Sequence, residues 1–299
     1  MSETRKSGRK NQKKGHLSRT YSEGEPPETI WVVGGGQMGG VIARHLAGSR
    51  PAVRPSLAVV DPSPDILKLL KAEGIEGEPS LQVLMKKGKS PELVILCVKP
   101  AVFQKAESGI SETLSRLPEG VLAVSVMAGV PLSHLRSRVP NLRWVRSMTN
   151  LALSAGKGMT LLAASPEVTH YEQTMIYGLF SGMGRALWLP EDSFDAATAI
   201  AGSGPGLLAI VAEAMADGGV REGLSRETAT LLASWALLGT GALLTERGHL
   251  PELLKAKVAS PSGTTIEGLA ALERHGIRGA LIEAVRAMAV RSREISRNA

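Results

Sequence analysis

The sequence predicts an α/β protein: an N-terminal Rossmann-type doubly wound parallel sheet, followed by an all-α domain that dimerises. From Thr29 onward, short β-rich runs alternate with helical stretches, which is typical of βαβ units and a parallel sheet. A glycine-rich turn at 34–39 directly follows the first of these runs. After Leu189 and Pro190 the β-rich runs stop, and the remaining pattern is almost wholly helical.

The alternation of patterns gives the expected order of elements. Strands are predicted near 30–33, 57–60, 93–97, 121–125, 142–145, 158–162 and 186–189. Helices are predicted near 38–48, 64–73, 80–87, 101–116, 131–138 and 167–182. The C-terminal part is expected to form helices near 192–221, 225–247, 251–256, 264–274 and 277–297. The expected domains are a basic leader at 1–28, a dinucleotide-binding domain at 29–190 and a helical dimerisation and substrate domain at 191–299.

The positive charge of the chain is concentrated at its start. The 299 residues carry a formal net charge of +7, and seven Lys or Arg fall between Met1 and Thr20 against a single acid, Glu3. The remainder is close to neutral, which argues against nucleic acid as a partner. The leader has almost no apolar residues to bury, so we expect it to be disordered.

Composition also bears on the compartment and on metals. The single cysteine, Cys97, lies in an apolar run, and we interpret it as a packing residue of a cytoplasmic protein. The six histidines are scattered without metal-ligand spacing, so no metal site is predicted. The longest clean apolar stretch, 231–244, is short for a membrane span, and no membrane association is expected.

The turn Gly34-Gly-Gly36-Gln-Met-Gly39 fits the G-x-G-x-x-G pattern of dinucleotide-binding folds, between an apolar run and a helical pattern. The first glycine makes the tight turn, the second lets the backbone approach a pyrophosphate, and the third lets the helix pack close to the strand. Asp61 follows the second predicted strand, 22 residues beyond Gly39, where an acidic side chain would meet an adenosine ribose. The predicted pyrophosphate site consists of Gly34, Gly35, Gly36, Gln37, Met38 and Gly39.

The turn Ser260-Pro-Ser-Gly-Thr-Thr265 feeds directly into an amphipathic stretch, so a helix should begin there. The first amides of a helix lack intrahelical partners and point outward with the positive end of the macrodipole. Such a turn suits a carboxylate or a phosphate. An ordinary hydroxyl-rich helix cap is the alternative, and the glycine turn upstream favours the anion site.

Two late helical stretches suggest assembly. Residues 204–217 and 231–244 are apolar over much of their circumference, and Gly239 and Gly241 would let another backbone approach closely. A helical domain of this size has too little interior to bury both. We therefore expect a homodimer or a higher homo-oligomer through this domain.

With both glycine motifs in place, the chain from about Ile30 to Arg293 resembles the pyrroline-5-carboxylate reductases, which make proline from a cyclic imine acid. The stretches that carry the resemblance are GGGQMG at 34–39, DPSPD at 61–65, CVKP at 97–100, VSVMAGVPLSHL at 124–135, AGSGP at 201–205, EAMADGGVREGLSRE at 213–227 and SPSGTTIEGL at 260–269. The resemblance implies hydride transfer from NAD(P)H to the imine carbon of 1-pyrroline-5-carboxylate, giving L-proline.

The same resemblance implies roles for particular residues. The glycine turn would hold the pyrophosphate, and the adenosine ribose would face Asp61, Pro62 and Ser63. The nicotinamide end would be shaped by Val98, Lys99, Pro100, Ala128 and Gly129. The substrate carboxylate would lie on the amides of Ser262, Gly263 and Thr264, in a pocket that also includes Ser260 and Asn150. Thr265 would be the catalytic residue, with its hydroxyl on the ring nitrogen.

Three departures from the family pattern lie around the substrate pocket. Where the family has M-P-N-T-P-A, this chain has Met148-Thr-Asn-Leu-Ala-Leu153; S-P-G-G-T-T reads SPSGTT; and L-K-D reads Leu254-Lys-Ala256. A reductase of a different cyclic imine acid is therefore an alternative. A 2-hydroxy-acid or prephenate type of dehydrogenase, using His249, Lys255 or Lys257, is another, and a non-catalytic nucleotide-binding regulator is a third.

Both NADH and NADPH are candidate cofactors, with a preference for NADH expected from Asp61. Its carboxylate would accept bonds from the ribose diol, whereas a phosphate on that ribose would bring like charges together. Ser63 could instead bind that phosphate, which leaves the choice of cofactor open.

Overall fold

The computed structural model describes residues 27–48, 55–88 and 90–297, so nearly all of the basic leader lies outside the described residues. The strands are β1 (Thr29–Val33), β2 (Ser56–Val60), β3 (Glu76–Glu78), β4 (Leu93–Leu96), β5 (Val121–Ser125), β6 (Leu142–Met148), β7 (Gly158–Ala164) and β8 (Gly184–Trp188). The helices of this part are α1 (Gln37–Gly48), α2 (Pro64–Ala72), α3 (Leu81–Lys86), α4 (Pro100–Gln104), α5 (Ile110–Leu114), α6 (Leu132–Arg138) and α7 (His170–Ser181). The C-terminal part contains α8 (Phe194–Ala201), α9 (Gly204–Arg221), α10 (Arg226–Thr245), α11 (Pro251–Val258), α12 (Thr264–Arg274) and α13 (Ile277–Arg297).

The eight strands form one sheet in the order β3-β2-β1-β4-β5-β6-β7-β8. Every neighbouring pair is parallel except β6 and β7, which run antiparallel. The predicted fold class, a Rossmann-type sheet followed by helices, is confirmed. Strand order reverses between β1 and β4, which is the switch point where such sheets bind ligands.

The sheet is buried on both faces, as a doubly wound fold requires. Along β1, Ile30 and Val32 pack into the core on one face, whereas Trp31 and Val33 pack into the core on the other. All four side chains are at most 2% exposed. This two-sided burial explains why the strand reads as a continuous apolar run rather than an alternating one.

The structure adds one strand to the predicted elements and divides two of the predicted helices. The edge strand β3 was not predicted, because its sequence, Glu-Gly-Glu, has no β-rich run and it forms by pairing with β2. The helix predicted at 101–116 divides into α4 and α5, because the backbone is extended at Lys105 and left-handed at Gly109, whose φ is 63°. The helix predicted at 192–221 divides into α8 and α9 because Pro205, at the start of α9, has no amide to continue α8.

The helical part is attached to the sheet through Glu191. Its Oε1 accepts from Arg146 Nη1 on β6 at 2.9 Å and from the Leu132 amide at the start of α6 at 2.7 Å. The Arg146 guanidinium also lies 4.7 Å from the ring centroid of Phe194, a fully buried residue at the start of α8. Helix α13 packs along α8, so α8 and α13 are fixed to the nucleotide-binding domain.

Helices α9 and α10 pack against each other and leave large apolar side chains exposed. Their shared core is small, consisting of Ala216, Ala229 and Ala233 with Val220 against it. Trp235 is 64% exposed and Ile210 63%. The spans 191–221 and Arg226–Thr245 are long and apolar enough to cross a membrane by length and composition, and little of either is buried within the chain. A face of this kind requires a cover, which a second subunit can supply.

Candidate nucleotide and imine-reduction site

The predicted cofactor residues lie together along the carboxyl edge of four neighbouring strands. Asp61 follows β2, Gly34 follows β1, Val98 lies just beyond β4, and Ala128 follows β5. These strands are adjacent in the order β2-β1-β4-β5. The structure therefore brings the predicted ribose, pyrophosphate and nicotinamide positions to one edge of the sheet, across the switch point.

The glycine turn leaves no room for side chains on its inner side. Gly34 has a φ of 98°, and a Cβ there would lie 2.9 Å from the carbonyl carbon of Cys97. A Cβ on Gly39 would overlap the carbonyl oxygen of Gly34. A Cβ on Gly36, in contrast, would meet nothing within 4 Å. The first amides of α1, which lack intrahelical partners, lie next to the open side at Gly36, and this arrangement would suit a pyrophosphate.

The Asp61 carboxylate braces this turn. Its Oδ2 accepts from the Gly35 amide at 2.8 Å, its Oδ1 accepts from the Ser63 amide at 2.9 Å, and the residue is only 8% exposed. Both oxygens are thus already engaged with the backbone. Asp61 therefore holds the shape of the turn, and the expected contact with a ribose would have to use the remaining lone pairs of its carboxylate.

The two loops at the predicted nicotinamide end are differently constrained. Lys99 is exposed and precedes α4, which begins at Pro100. In the loop after β5, Ala128 is exposed, whereas Gly129 has a φ of 73° and lies against Ile295 near the end of α13. A side chain in the helical part therefore contacts the loop after β5, and no sequence pattern pointed to this contact.

Cys97 serves packing rather than chemistry. Burial raises the pKa of its thiol to about 12, so the thiolate is not available near neutral pH. Its Cβ lies close to Gly39 of α1, at the place where this helix packs against the strands. The cytoplasmic location inferred from this cysteine stays a prediction.

Asn150 connects the sheet to the helical part. Its Nδ2 donates to the Ala201 carbonyl at 2.7 Å, and its Oδ1 accepts from the Ala152 amide at 3.1 Å. The residue is 9% exposed. The side chain thus holds the end of β6 against the end of α8, and its second amide hydrogen and remaining lone pair are left for the predicted substrate contact.

The Ser260–Thr265 turn begins α12 as predicted, with Gly263 in an extended conformation at the N-cap. The Gly263 amide donates to the Ser260 carbonyl at 3.1 Å, so it is less available to a carboxylate than the sequence suggested. The amides of Thr264 and Thr265, in the first turn, remain as donors. Ser262 has a φ of 56°, a left-handed conformation that favours glycine.

Within one chain, the lengths of α12 and α13 argue against a contact between Thr265 and the predicted nicotinamide end. The main packing partner of helix α12 is α13. The end of α13 that lies at Gly129 is about 27 Å from the end that follows α12, at about 1.5 Å per residue. Even if α12, about 16 Å long, folded straight back along α13, its first turn would fall short of the loop after β5.

Metal ligands do not gather in the part of the chain that the structure describes. Among those residues no group of three or more His, Cys, Asp or Glu is placed to hold a metal ion. The three candidate bases of a dehydrogenase are also unconvincing: Lys255 and Lys257 are exposed on α11, and His249 lies in the loop before it. The geometry favours positioning by backbone amides and hydroxyls.

Comparison with known protein families agrees with the two-part architecture. Residues 29–129 match the family model described as NADP oxidoreductase, coenzyme F420-dependent. Residues 191–295 match the model described as pyrroline-5-carboxylate reductase dimerisation. The fold and the glycine-lined edge thus define an oxidoreductase that uses a nicotinamide cofactor and has a helical second domain.

Individual relatives narrow this class. The pyrroline-5-carboxylate reductase of Synechocystis sp. is 35% identical over 90% of this chain and 98% of its own length. The pyrroline-5-carboxylate reductase of Methanosarcina acetivorans is 33% identical over 90% of this chain and 98% of its own length. A solved pyrroline-5-carboxylate reductase from Coxiella burnetii superposes with a TM-score of 0.80 at 26% identity, covering 91% of this chain and 99% of that one. This chain belongs to the pyrroline-5-carboxylate reductase family.

Two substitutions in the glycine turn should separate cofactor binding from folding. Gly36→Val places its side chain in open space, so we expect an unchanged melting temperature and at least a tenfold weaker affinity for reduced cofactor. Gly39→Ala, although smaller, collides with the backbone of Gly34 and should cost about 3 kcal/mol of stability. Cofactor titration and thermal unfolding of both variants test this. Unchanged affinity in Gly36→Val would show that the pyrophosphate site is misplaced.

Proposed function

We propose that this protein reduces the C=N bond of 1-pyrroline-5-carboxylate to give L-proline. The observation that carries the proposal is the combination of a glycine-lined nucleotide edge with a hydroxyl-rich helix start at 260–265 in a chain of this family. The first suits a dinucleotide, and the second suits a small carboxylate with a polar ring atom beside it. Neither requires a nucleophile or a metal.

The cofactor, when bound, supplies the hydride. The residues of the nucleotide edge do the rest: the turn at 34–39 would hold the pyrophosphate, and Asp61, Pro62 and Ser63 would face the adenosine ribose. Val98, Lys99 and Pro100 would flank the nicotinamide end opposite Ala128 and Gly129. Because both loops leave the carboxyl edge of paired strands β4 and β5, they are held at a fixed separation by the sheet.

The substrate carboxylate would bind at the start of α12. The first-turn amides of Thr264 and Thr265 would donate to it, and Ser260 and Ser262 would border the pocket. The Thr265 hydroxyl would bond the ring nitrogen, which carries a proton in the electrophilic form of the imine. As the nitrogen becomes an amine, a fixed hydroxyl keeps its new lone pair oriented. A near-attack arrangement of this kind accounts for several kcal/mol of the barrier, on the order of 7 or more.

We infer that two subunits form each site. The lengths of α12 and α13 argue against a contact between Thr265 and the nicotinamide end of its own chain, and the apolar faces of α9 and α10 are largely exposed in a single chain. A homodimer formed through these helices would meet both needs, by placing α12 of one subunit over the carboxyl edge of the sheet of the other. Oligomerisation would then be a condition for activity.

A larger or more apolar cyclic imine acid is the second candidate substrate. Leu151 stands where the family has a threonine, directly after Asn150 at the end of β6, and it is 60% exposed. An exposed leucine beside the site favours an apolar surface on the ligand. The two substrates differ by ring size, and the same assay can compare them.

The reaction is tested by following the oxidation of reduced cofactor in the presence of either imine acid. We expect turnover with 1-pyrroline-5-carboxylate, and a specificity constant at least tenfold lower for its six-membered analogue. The reverse order would identify the larger ring as the substrate. Cofactor binding without turnover on either compound would indicate a non-catalytic nucleotide-binding protein.

Thr265→Val keeps the shape of the side chain and deletes the hydroxyl. We expect kcat to fall ten- to a thousandfold, the loss typical of one well-placed hydrogen bond or proton donor, with cofactor affinity unchanged. Thermal unfolding serves as the control, because a hydroxyl that only caps the helix would cost about 1 kcal/mol of stability and leave kcat intact.

The same variant tests the shared site. Heterodimers of Thr265→Val with Gly36→Val contain one site with both changes and one site with neither. Mixing the two inactive proteins under conditions that exchange subunits should therefore restore activity, up to about half the wild-type value in the heterodimer. Activity that stays at the level of the separate variants would place both residues in the site of one chain.

We propose that NADH is preferred over NADPH. A phosphate on the ribose would approach the Asp61 carboxylate, a repulsion on the order of 1 kcal/mol in partly shielded surroundings, equivalent to about fivefold in specificity constant. Ser63→Arg should reverse the preference, because Ser63 makes only a weak cap to Ile66 at 3.5 Å and can be replaced at little cost. Ser63→Gln is the neutral control. A wild-type preference for NADPH would contradict the role given to Asp61.

Gly241 tests the subunit interface. A side chain at this position of α10 meets nothing within 4 Å in a single chain, so Gly241→Glu should leave the fold of the chain intact. In a dimer it would bury an unpaired charge, and we expect dissociation. Light scattering measures the oligomeric state and circular dichroism the fold, with Gly241→Ala as the small neutral control. A stable wild-type monomer would refute the dimer.

A further inference from the structure

The loop after β5 is held between the core and the end of α13. On its inner side, Met127 and Val130 are buried in the core below the sheet. On its outer side, Ile295 occupies the space that a side chain on Gly129 would need, with its Cβ 3.3 Å from that position. Ala128, between these contacts, is left exposed. The loop therefore has a packed residue on either side and one free face.

Ile295 is itself fixed in place. Ser292 Oγ and Ser296 Oγ donate to Asp195 Oδ1 at 2.6 and 3.1 Å. One carboxylate oxygen on α8 thus clamps two successive turns of α13, and Ile295 is the neighbour of Ser296 on that surface. Asp195 follows Phe194, which is fully buried in the core of the nucleotide-binding domain. The position of Ile295 is set by the sheet through α8.

Ile295 contributes little to the core. It is 40% exposed, so only part of its surface is removed from water, and a substitution that keeps its volume should change stability only slightly. The contact of Ile295 with Gly129 buries little area but leaves no room for a side chain at Gly129. It therefore constrains the position of the loop more than it stabilises the fold. Its branched methyl, Cγ2, is the atom that lies closest to Gly129.

We propose that Ile295 is a positioning residue for hydride transfer, and that its Cγ2 methyl fixes the height of the loop at 126–130 at the nicotinamide end. The role in hydride transfer rests on the proposed function, whereas the contact between Ile295 and Gly129 is independent of it. The loop borders the place where donor and acceptor carbons must meet at near-attack distance, and a misplacement of about 1 Å can cost on the order of a hundredfold in rate. The helical domain thereby sets the geometry of a site in the nucleotide-binding domain.

A matched pair of variants isolates the methyl. Ile295→Val keeps Cγ2 and removes only the terminal carbon, whereas Ile295→Leu keeps the volume and helix propensity but removes the branch at Cβ. Both are made in the full-length protein. Amide hydrogen exchange of the peptide covering 126–130 is measured without cofactor, together with the melting temperature. Single-turnover hydride transfer and its isotope effect are measured with reduced cofactor deuterated at the transferred position.

We expect Ile295→Leu to exchange at least fivefold faster in this loop and to transfer hydride at least fivefold more slowly, at an unchanged melting temperature and cofactor affinity. Ile295→Val should stay within twofold of wild type in every measurement. Equal behaviour of the two variants, or wild-type exchange in Ile295→Leu, would overturn the proposal. If the wild type reduces neither imine acid, the proposed reaction fails, and hydrogen exchange still decides whether Ile295 holds the loop.

Discussion

The nucleotide edge depends on the close approach of three backbone segments. The carbonyl of Cys97 at the end of β4, the turn at Gly34 and the first turn of α1 at Gly39 lie closer together than a methyl group would allow. The Asp61 carboxylate holds the turn from the β2 side through the Gly35 amide. Because these contacts join β2, β1 and β4 at the switch point, the position of α1 and the open face at Gly36 both follow from them.

Local patterns predicted the elements whose residues carry their own signal. Buried strands such as β1 and β4 read as apolar runs, and the glycine turn stands between a strand and a helix that both have clear periodicity. Strand β3 carries no such signal, because its Glu-Gly-Glu segment becomes a strand only when β2 offers an edge. The domain limits drawn at 28 and 190 likewise stay a prediction, although the last strand ends at Trp188.

The residues of the candidate site also fall into those with a local sequence signal and those without one. The turn at 34–39 and Asp61 could be found from the sequence, because they follow predictable strands at the spacing of a dinucleotide fold. The residues of the nicotinamide end were expected from the family resemblance. The bonds from Asn150 to Ala201 and from Asp195 to the end of α13, and the contact of Gly129 with Ile295, join residues 51 to 166 positions apart. No spacing rule reaches that far, so the ties between the two parts of the molecule emerge only in three dimensions.

Ser262 shows how a loop can keep its path while its residue changes. At a φ of 56° a serine carries a strain of about 1 kcal/mol that a glycine would avoid. A serine also has fewer conformations available in the unfolded chain, which offsets part of that strain by about 0.4–1 kcal/mol. At a positive φ the strain outweighs this entropy effect, so serine is slightly less stable than glycine at this position. The hydroxyl that serine adds lies just before α12, beside the amides that we propose for the substrate carboxylate, where it would give the ligand a further polar partner.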